Sequence, residues 1–542
     1  MSGLNAEELI GMNGRLSVDR DRFSRLYEDC FDYYMPEMQS EGISSIITNE
    51  EEQPLDNAGK SASGKLASGL FSNTVSMGDE FFGFRSNSKL DNNDEVTRAF
   101  ADASKECLKQ MQSSNFALVA FEAIDYYTKL NTLVFYSEYR EGDGLVFYNF
   151  PITHCSIAED HLGRVNTVFR EFQMTACQAY GRWGDDCSPK LKEAYNDPSR
   201  RYESFKFIHA VLDRDKRDMK SLQSKDLPIA SYYVEVDNKH IVEEGGYNSF
   251  PYAVARFYKA SQSAYGRGPS FSSLPAMREI CRLRSDIIDG IELKLQPPVF
   301  IPGGSDAEDV DLSPAAINYY NAQTGRIEFY TPNIDLQYAG EHRRNIREEV
   351  KENFFADLFM ALEGLNNMTA TEVSERVSEK IQMILPVVSR LYDEFFSPAI
   401  ERVFDLLREN EVIELPENMV ETEFRVDYTT KLDNRLQSLE IQQVLTAIQQ
   451  GHSIMTLVQE APDLANILNV DHAVKTVFKG NNVDTELLYS DEEIAERREA
   501  EAEAQAQQMA QQQVMEKIKA IDPLKAAEEG SMIESGETGA PQ

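Results

Sequence analysis

Three short runs carry residue types that could do chemistry. Gly59-Lys60-Ser61 has the closing residues of a phosphate loop, whose backbone N–H groups cradle a phosphate while the lysine reaches it. That loop needs another glycine five residues before Gly59, where Pro54 stands, and no apolar strand leads into it. A helix start or a loop is the plainer reading. Gly266 and Gly268 begin a dinucleotide fingerprint, but Phe271 occupies the place of its third glycine. His154-Cys155 with Cys177 and Cys187 are zinc-ligand types, yet their spacings fit neither a finger nor a ribbon, and structural thiols are the simpler account. The seven histidines lack the metalloprotease spacing, and no Ser–His–Asp arrangement can be argued. The chemistry expected is therefore not enzymatic, and no cofactor or metal is implied.

The charges are more informative. Arg278 and Arg282 lie four apart and so share a helix face, with Arg284 and Lys294 elsewhere on the same run. Arg343, Arg344, Arg347 and Lys351 crowd the start of a second helical run. One reading is ordinary intrahelical pairing, for example Arg347 with Glu348 or Glu352. The other is rings of positive charge in an otherwise acidic tunnel. The whole chain carries 54 basic and 91 acidic residues, a formal charge of −37, which repels nucleic acid by default and argues against a sequence-reading DNA binder. It does not argue against a passage through which DNA slides without sticking.

The elements that must position these charges are sharply punctuated. Tyr265-Gly266-Arg267-Gly268-Pro269 leads into a helix read from Leu274 to about Gln296, with Pro275 placed in its first turn. Pro297-Pro298 stops it, about 33 Å further on. A mixed segment, 297–340, follows, with strand-like Val299–Pro302 and Ile327–Tyr330 and a Ser313-Pro314 helix start. A second helix is read from Glu341 to Leu362 on the stripe Ile346, Val350, Phe354, Leu358 and Leu362. The polar break Glu363-Gly364-Leu365-Asn366-Asn367-Met368 separates it from a third helix, capped by Thr369 with Glu372, running towards Arg408 and kinked at Pro386.

Upstream, helices are expected over Ala6–Met35, Asn57–Thr74 and Val96–Leu130, the last broken near Ser113-Ser114-Asn115. Residues 37–56 read as loop. Residues 132–260 read as mainly β, opening with a hairpin across Glu141-Gly142-Asp143-Gly144. Shorter helices are expected over 420–490, a marginal helix over 491–520 and disorder over 521–542. At 542 residues several domains or subdomains are expected. Six scattered cysteines suit free thiols. Residues 1–15 have no apolar signal core, and no run of 18 apolar residues offers a membrane span.

Taken in order, these pieces resemble the portal, or head–tail connector, proteins of short-tailed bacteriophages. The matching pieces are Asp32-Tyr33-Tyr34-Met35-Pro36, Leu66-Ala67-Ser68-Gly69-Leu70, Phe81-Phe82-Gly83-Phe84, Tyr265–Pro269, Leu274-Pro275, Pro297-Pro298, and Met368-Thr369-Ala370-Thr371-Glu372-Val373 with Arg376. They span roughly residues 20–410. Phe81-Phe82 departs from the family, where a tryptophan often neighbours the phenylalanine.

The resemblance implies an α+β, mainly helical fold that assembles into a ring, usually of twelve copies, at one capsid vertex of the virion, after synthesis in the bacterial cytoplasm. Double-stranded DNA would pass through its channel without sequence specificity, during packaging and ejection. Terminase large subunit, then tail adaptor or nozzle proteins, would dock on it, and the major capsid and scaffold proteins would surround it. It implies a wing (1–270, with its β-rich part at 132–260), stem helices at 271–296 and 341–362, and a clip (297–340). It further implies a tunnel loop (363–370), a kinked wing helix and return (371–430), a crown (431–490) and a possible barrel helix (491–520), ahead of the tail 521–542. Two alternatives stay open: a nucleotide-driven packaging enzyme, and an acidic assembly scaffold or adaptor that forms no channel.

Overall fold

Two hydrophobic periods, 3.6 and 2, divide the chain into helical ends and a β centre. The computed structural model describes residues 4–37, 56–75, 80–86, 94–214, 223–303, 310–320, 326–330, 336–356, 382–413, 424–430, 444–457, 473, 476 and 477. It divides into two compact units, Met1–Leu436 and Gln437–Gln542.

The first unit opens with two helices, α1 (Ala6–Asp21) and α2 (Ser24–Tyr34), where the sequence predicted one. A reciprocal capping box starts α1: Asn5 accepts the Glu8 N–H at 2.8 Å and the Glu8 carboxylate accepts the Asn5 N–H at 2.9 Å. The break falls at Arg22-Phe23, where the Phe23 ring joins Tyr265 and Phe271 at 5.8 and 6.3 Å. Then come α3 (Ala58–Thr74), β1 (Phe82–Ser86), α4 (Asp94–Ser113) and α5 (Phe116–Leu130). The α4–α5 break falls where the two serines and Asn115 predicted it.

The β region follows the period-2 reading. β2 (Thr132–Arg140) and β3 (Gly144–Phe150) form the expected hairpin, with Gly142 and Gly144 at φ of 93° and 78°. Next in sequence are β4 (Cys155–Glu159), β5 (Val165–Thr175), α6 (Ala176–Trp183), α7 (Pro189–Asn196), β6 (Ser204–Asp213), β7 (Ile229–Glu235), β8 (His240–Tyr247) and β9 (Tyr252–Arg256). β4 to β8 make one antiparallel meander, and β3-β2-β9 a separate three-stranded antiparallel sheet.

Both faces of the meander are covered, which explains why β6 and β7 are buried almost throughout. Phe205, Phe207 and Tyr233 face Trp183 and Leu191 of α6 and α7. Ile208, Ala210, Tyr232 and Val234 face Leu9 of α1.

His209 is fully enclosed in this meander. Its ring stacks on Tyr233 at 4.1 Å and 3°, and its nitrogens bond Tyr252 Oη at 2.8 Å and Ser231 Oγ at 3.1 Å. Burial, with Arg170 and Arg182 nearby, pushes its pKa well below the usual imidazole value. The folded chain keeps His209 neutral while the unfolded chain protonates below about pH 6.5. Between pH 6.5 and 5, stability should therefore fall by up to about 1.4 kcal/mol per pH unit through this group. Denaturation midpoints across that range should show the slope, and His209→Gln should flatten it.

After β10 (Tyr258–Lys259) and β11 (Gly266–Arg267) comes the long α8 (Pro269–Leu295). It begins a turn and more before the predicted Leu274. Pro269 takes the N-terminal proline position, and Pro275 sits inside the helix on its exposed face. β12 (Val299–Pro302), β13 (Ile317–Tyr320) and β14 (Glu328–Phe329) form a small mixed sheet in the order β13-β12-β14. The helix expected at Ser313-Pro314 is instead a turn. Asp311 accepts the Ser313 N–H at 2.9 Å, Ala315 adopts φ 59°, and the chain enters β13.

The second long helix, α9, runs Leu336–Asn353 rather than 341–362. It ends as Phe355 turns to φ 52°. Leu358 and Leu362 lie outside the described residues, as do Thr369 and Glu372. α10 (382–391) contains Pro386 on its exposed face, and α geometry gives way later, in a π turn over Tyr392–Phe396. α11 (Ser397–Glu409) and β15 (Phe424–Tyr428) complete the unit, with β15 paired antiparallel to β1. In the second unit, 444–457 is helical. Residues 491–542 lie outside the described residues.

Candidate functional site

The chemistry-bearing runs of the sequence converge on the root of α8 and α9. These two helices pack along each other, and the chain between them forms the β12–β14 sheet. Their root is built from α2, α3 and the 265–269 segment.

Tyr34, the last residue of α2, is fully buried and touches α8, α3 and the residue just past α9. Its hydroxyl donates to the Ser270 carbonyl in the first turn of α8 at 2.7 Å. Its ring meets Phe354, just past α9, edge-on at 5.5 Å. It also lies against Gly59 of α3 so closely that a Cβ there would collide with it. Gly59 is thus a packing glycine, and Lys60 pairs with Glu37 rather than waiting for a phosphate.

The glycines of 265–269 have a similar explanation. Asn131, in the left-handed region at φ 60°, turns the chain from α5 into β2. The backbone at Gly266 and Gly268 runs directly over it. A Cβ on Gly266 would strike the Asn131 carbonyl, and one on Gly268 its side-chain oxygen. The Gly266 N–H donates to Thr132 Oγ1 at 3.0 Å, and Tyr265 Oη accepts the Ile157 N–H at 3.3 Å. Pro269 then starts α8 and Pro298 lies buried beyond its end, with Pro297 partly so.

A buried carboxylate that sequence reading missed completes the root. Asp56, with a fully enclosed side chain, accepts the Ala58 N–H at 3.0 Å at the start of α3. It also receives Arg347 of α9 through two nitrogens, at 2.8 and 3.2 Å, and Arg284 of α8 approaches it to 4.0 Å. The predicted pairing of Arg347 with Glu348 or Glu352 gives way to a partner 291 positions away. The available signal was an aspartate just before a predicted helix start, which reads only as a cap.

The other basic candidates divide in two. Arg278 pairs with Asp29 of α2, Lys351 with Glu348 at 2.7 Å, and Arg344 reaches Glu341 at 4.0 Å. Arg282 and Lys294 stand exposed on α8 without an ion pair to a described residue, and Arg343 is half-buried with its Nε unpartnered. Across the helix pair His342 meets Glu279 at 3.0 Å. At the far end, Leu295, Ile317, Tyr319, Ile327, Phe329 and Tyr330 are all exposed. The loop residues Glu363, Gly364, Leu365, Asn366, Asn367 and Met368 lie outside the described residues.

All six cysteines are free thiols, four of them buried; burial pushes Cys155 up to about 12 and Cys187 up to about 11. Among the described residues no group of three or more His, Cys, Asp or Glu could hold a metal ion, and no helix is long and apolar enough to cross a membrane.

Residues 6–488 match the family model described as "Bacteriophage head to tail connecting protein". The chain belongs to this family. The connector is 26% identical over 511 residues to a "Probable portal protein" of Bordetella phage BPP-1, across 91% of each chain. It is also 26% identical over 370 residues to a "Portal protein" of Salmonella phage epsilon15, spanning just under two thirds, 65%, of each. The root of α8 and α9 and the sheet between them lie wholly within the family match. In the connector, then, the motif-like glycines belong to a tightly seated helix pair.

Proposed function

We propose that this connector is a phage portal protein: copies close into a ring, of twelve by the family pattern, at one capsid vertex, and DNA passes through the centre. The observation that carries the reading is the α8–α9 pair, rooted by Tyr34 and Asp56 and bearing a small sheet with exposed apolar side chains, in a chain of this family. In this reading residues 271–296 and 341–362 are the stem, 297–340 the clip and residues 1–270 with 371–430 the wing. Residues 363–370 form the tunnel loop, 431–490 the crown and 491–520 a barrel. Terminase large subunit and then tail adaptor proteins dock on the clip, major capsid and scaffold proteins contact the ring, and the site is the virion. The chain itself does no catalysis.

The ring needs no sequence-specific contact with DNA. An acidic wall repels the duplex, and sparse cations give brief phosphate contacts. Arg282 and Lys294 suit that role best, being exposed and without an ion pair among the described residues; Arg347 is committed to Asp56. Electron microscopy of the purified chain should give rings with a central hole, and a monomer at every concentration would overturn the reading. Arg282→Ala with Lys294→Ala should leave rings intact while changing the amount of DNA packaged or retained per particle. ATP turnover by the purified chain would favour a packaging enzyme. Rings that never retain DNA would favour a scaffold.

A further inference from the structure

The π turn at Tyr392–Phe396 shifts the buried stripe of its helix by one residue. Upstream, Ile384, Val387, Val388 and Leu391 are buried. Continued at 3.6 residues per turn, that stripe would reach positions 394–395 and then 398. Downstream the buried side chains centre instead on Phe396, Ala399, Ile400, Val403 and Leu407, flanked by Phe395, Arg402, Phe404 and Leu406. The π turn absorbs the one-residue difference. Without the one extra residue that the π turn accommodates, Glu394 would fall at position 393, about half a turn from the stripe, facing outward. With it, Glu394 turns in.

There Glu394 is fully engaged. Its Oε2 accepts the Arg256 backbone N–H at 2.9 Å and Arg256 Nε at 3.0 Å; its Oε1 accepts Arg256 Nη2 at 2.7 Å and faces Arg390 at 3.5 Å. Arg256 is 2% exposed. The other side of its guanidinium pairs with Glu159 and donates to the Gly163 carbonyl at 3.1 Å. Lys259 closes the group on the same two residues, at 3.1 and 3.0 Å. Ion pairs therefore run unbroken from the helix, through β9, to the β4–β5 turn.

We propose that the π turn exists to present Glu394 as a latch, a positioning residue that fixes the 382–409 helix to the β4–β5 turn through Arg256. π turns recur at functional positions because they cost helix hydrogen bonding and need a compensating contact. Here the compensating contact is a carboxylate that could not otherwise reach a buried arginine. The inference concerns the chain itself and holds whether or not the ring carries DNA.

The test uses the full-length chain and amide hydrogen exchange. Deleting the exposed Asp393 removes the extra residue, rejoins both apolar stripes in one α-helix and withdraws Glu394. The latch predicts that this deletion and Glu394→Ala each speed exchange at residues 159–164 and 256–259 by at least about tenfold, beyond any chain-wide change. Glu394→Gln, which keeps an acceptor for the Arg256 N–H, should fall between. A deletion variant that folds with equal or greater protection in those segments would overturn the proposal. If the deletion variant does not fold, Glu394→Ala decides: unchanged protection there overturns it equally.

Discussion

Replacing Asp56 by alanine should lower the unfolding free energy of the connector by about 3–4 kcal/mol, the combined scale for losing charge-assisted hydrogen bonds and the acceptor at a helix start. Arg347 would lose its bonds from Nε and Nη2, Arg284 its nearest carboxylate, and α3 the acceptor at its first turn. Asp56→Asn keeps the acceptor for the Ala58 N–H and should cost less. Arg347→Ala should approach the Asp56→Ala cost, because it strands the enclosed carboxylate. The double variant should cost clearly less than the two single costs combined, since both remove the same contact. Urea midpoints measure all four. An Asp56→Ala chain within 1 kcal/mol of the parent would mean that the root is held by packing alone. The same variant should loosen α9 against α3.

Gly266→Ala should be nearly as damaging, at about 3 kcal/mol or more, the upper range for overpacking a site that cannot give way. Its new methyl would meet the Asn131 carbonyl, a backbone atom held in place by the Phe257 N–H at 3.0 Å. Gly268→Ala should cost less, because the colliding atom belongs to a side chain. Gly11→Ala is the control: nothing lies within 4 Å of a Cβ there, and a helix gains up to about 1 kcal/mol from that change. Equal midpoints for Gly266→Ala and Gly11→Ala would contradict the tight seating of the 265–269 segment.

The local elements were largely legible because their signals are local. Gly142 and Gly144 between alternating strands could only be a hairpin, and Ser113–Asn115 could only interrupt a helix. Where the reading slipped, two structures shared one signature. Ser313-Pro314 suits a helix start and a turn alike, and Asp311 two residues earlier decided for the turn. Pro275 looks like a first-turn proline in sequence because Pro269, which holds that place, sits among the glycines of the lead-in. Asp56 and Glu394 were invisible for a deeper reason. Each is one of 91 acidic residues, and what singles it out is an arginine 291 or 138 positions away. Spacing along a chain carries no record of such distances.

The pairing of β1 with β15 has a consequence in time. Thr429 Oγ1 donates to the Glu80 carbonyl, 349 positions back, and Phe81, Phe82 and Phe84 are buried in that neighbourhood, with Phe84 against Phe404 and Phe424. At about 5–20 residues per second, a ribosome takes roughly 20–70 s to make what lies between. Throughout that interval the aromatic strand has α4 against it but lacks its partner strand, and the nascent chain cannot complete its own sheet. A chain that stops early never completes it. The fold thus ties the finished surface to translation through residue 430, and in the proposed ring that would keep truncated copies out of the assembly.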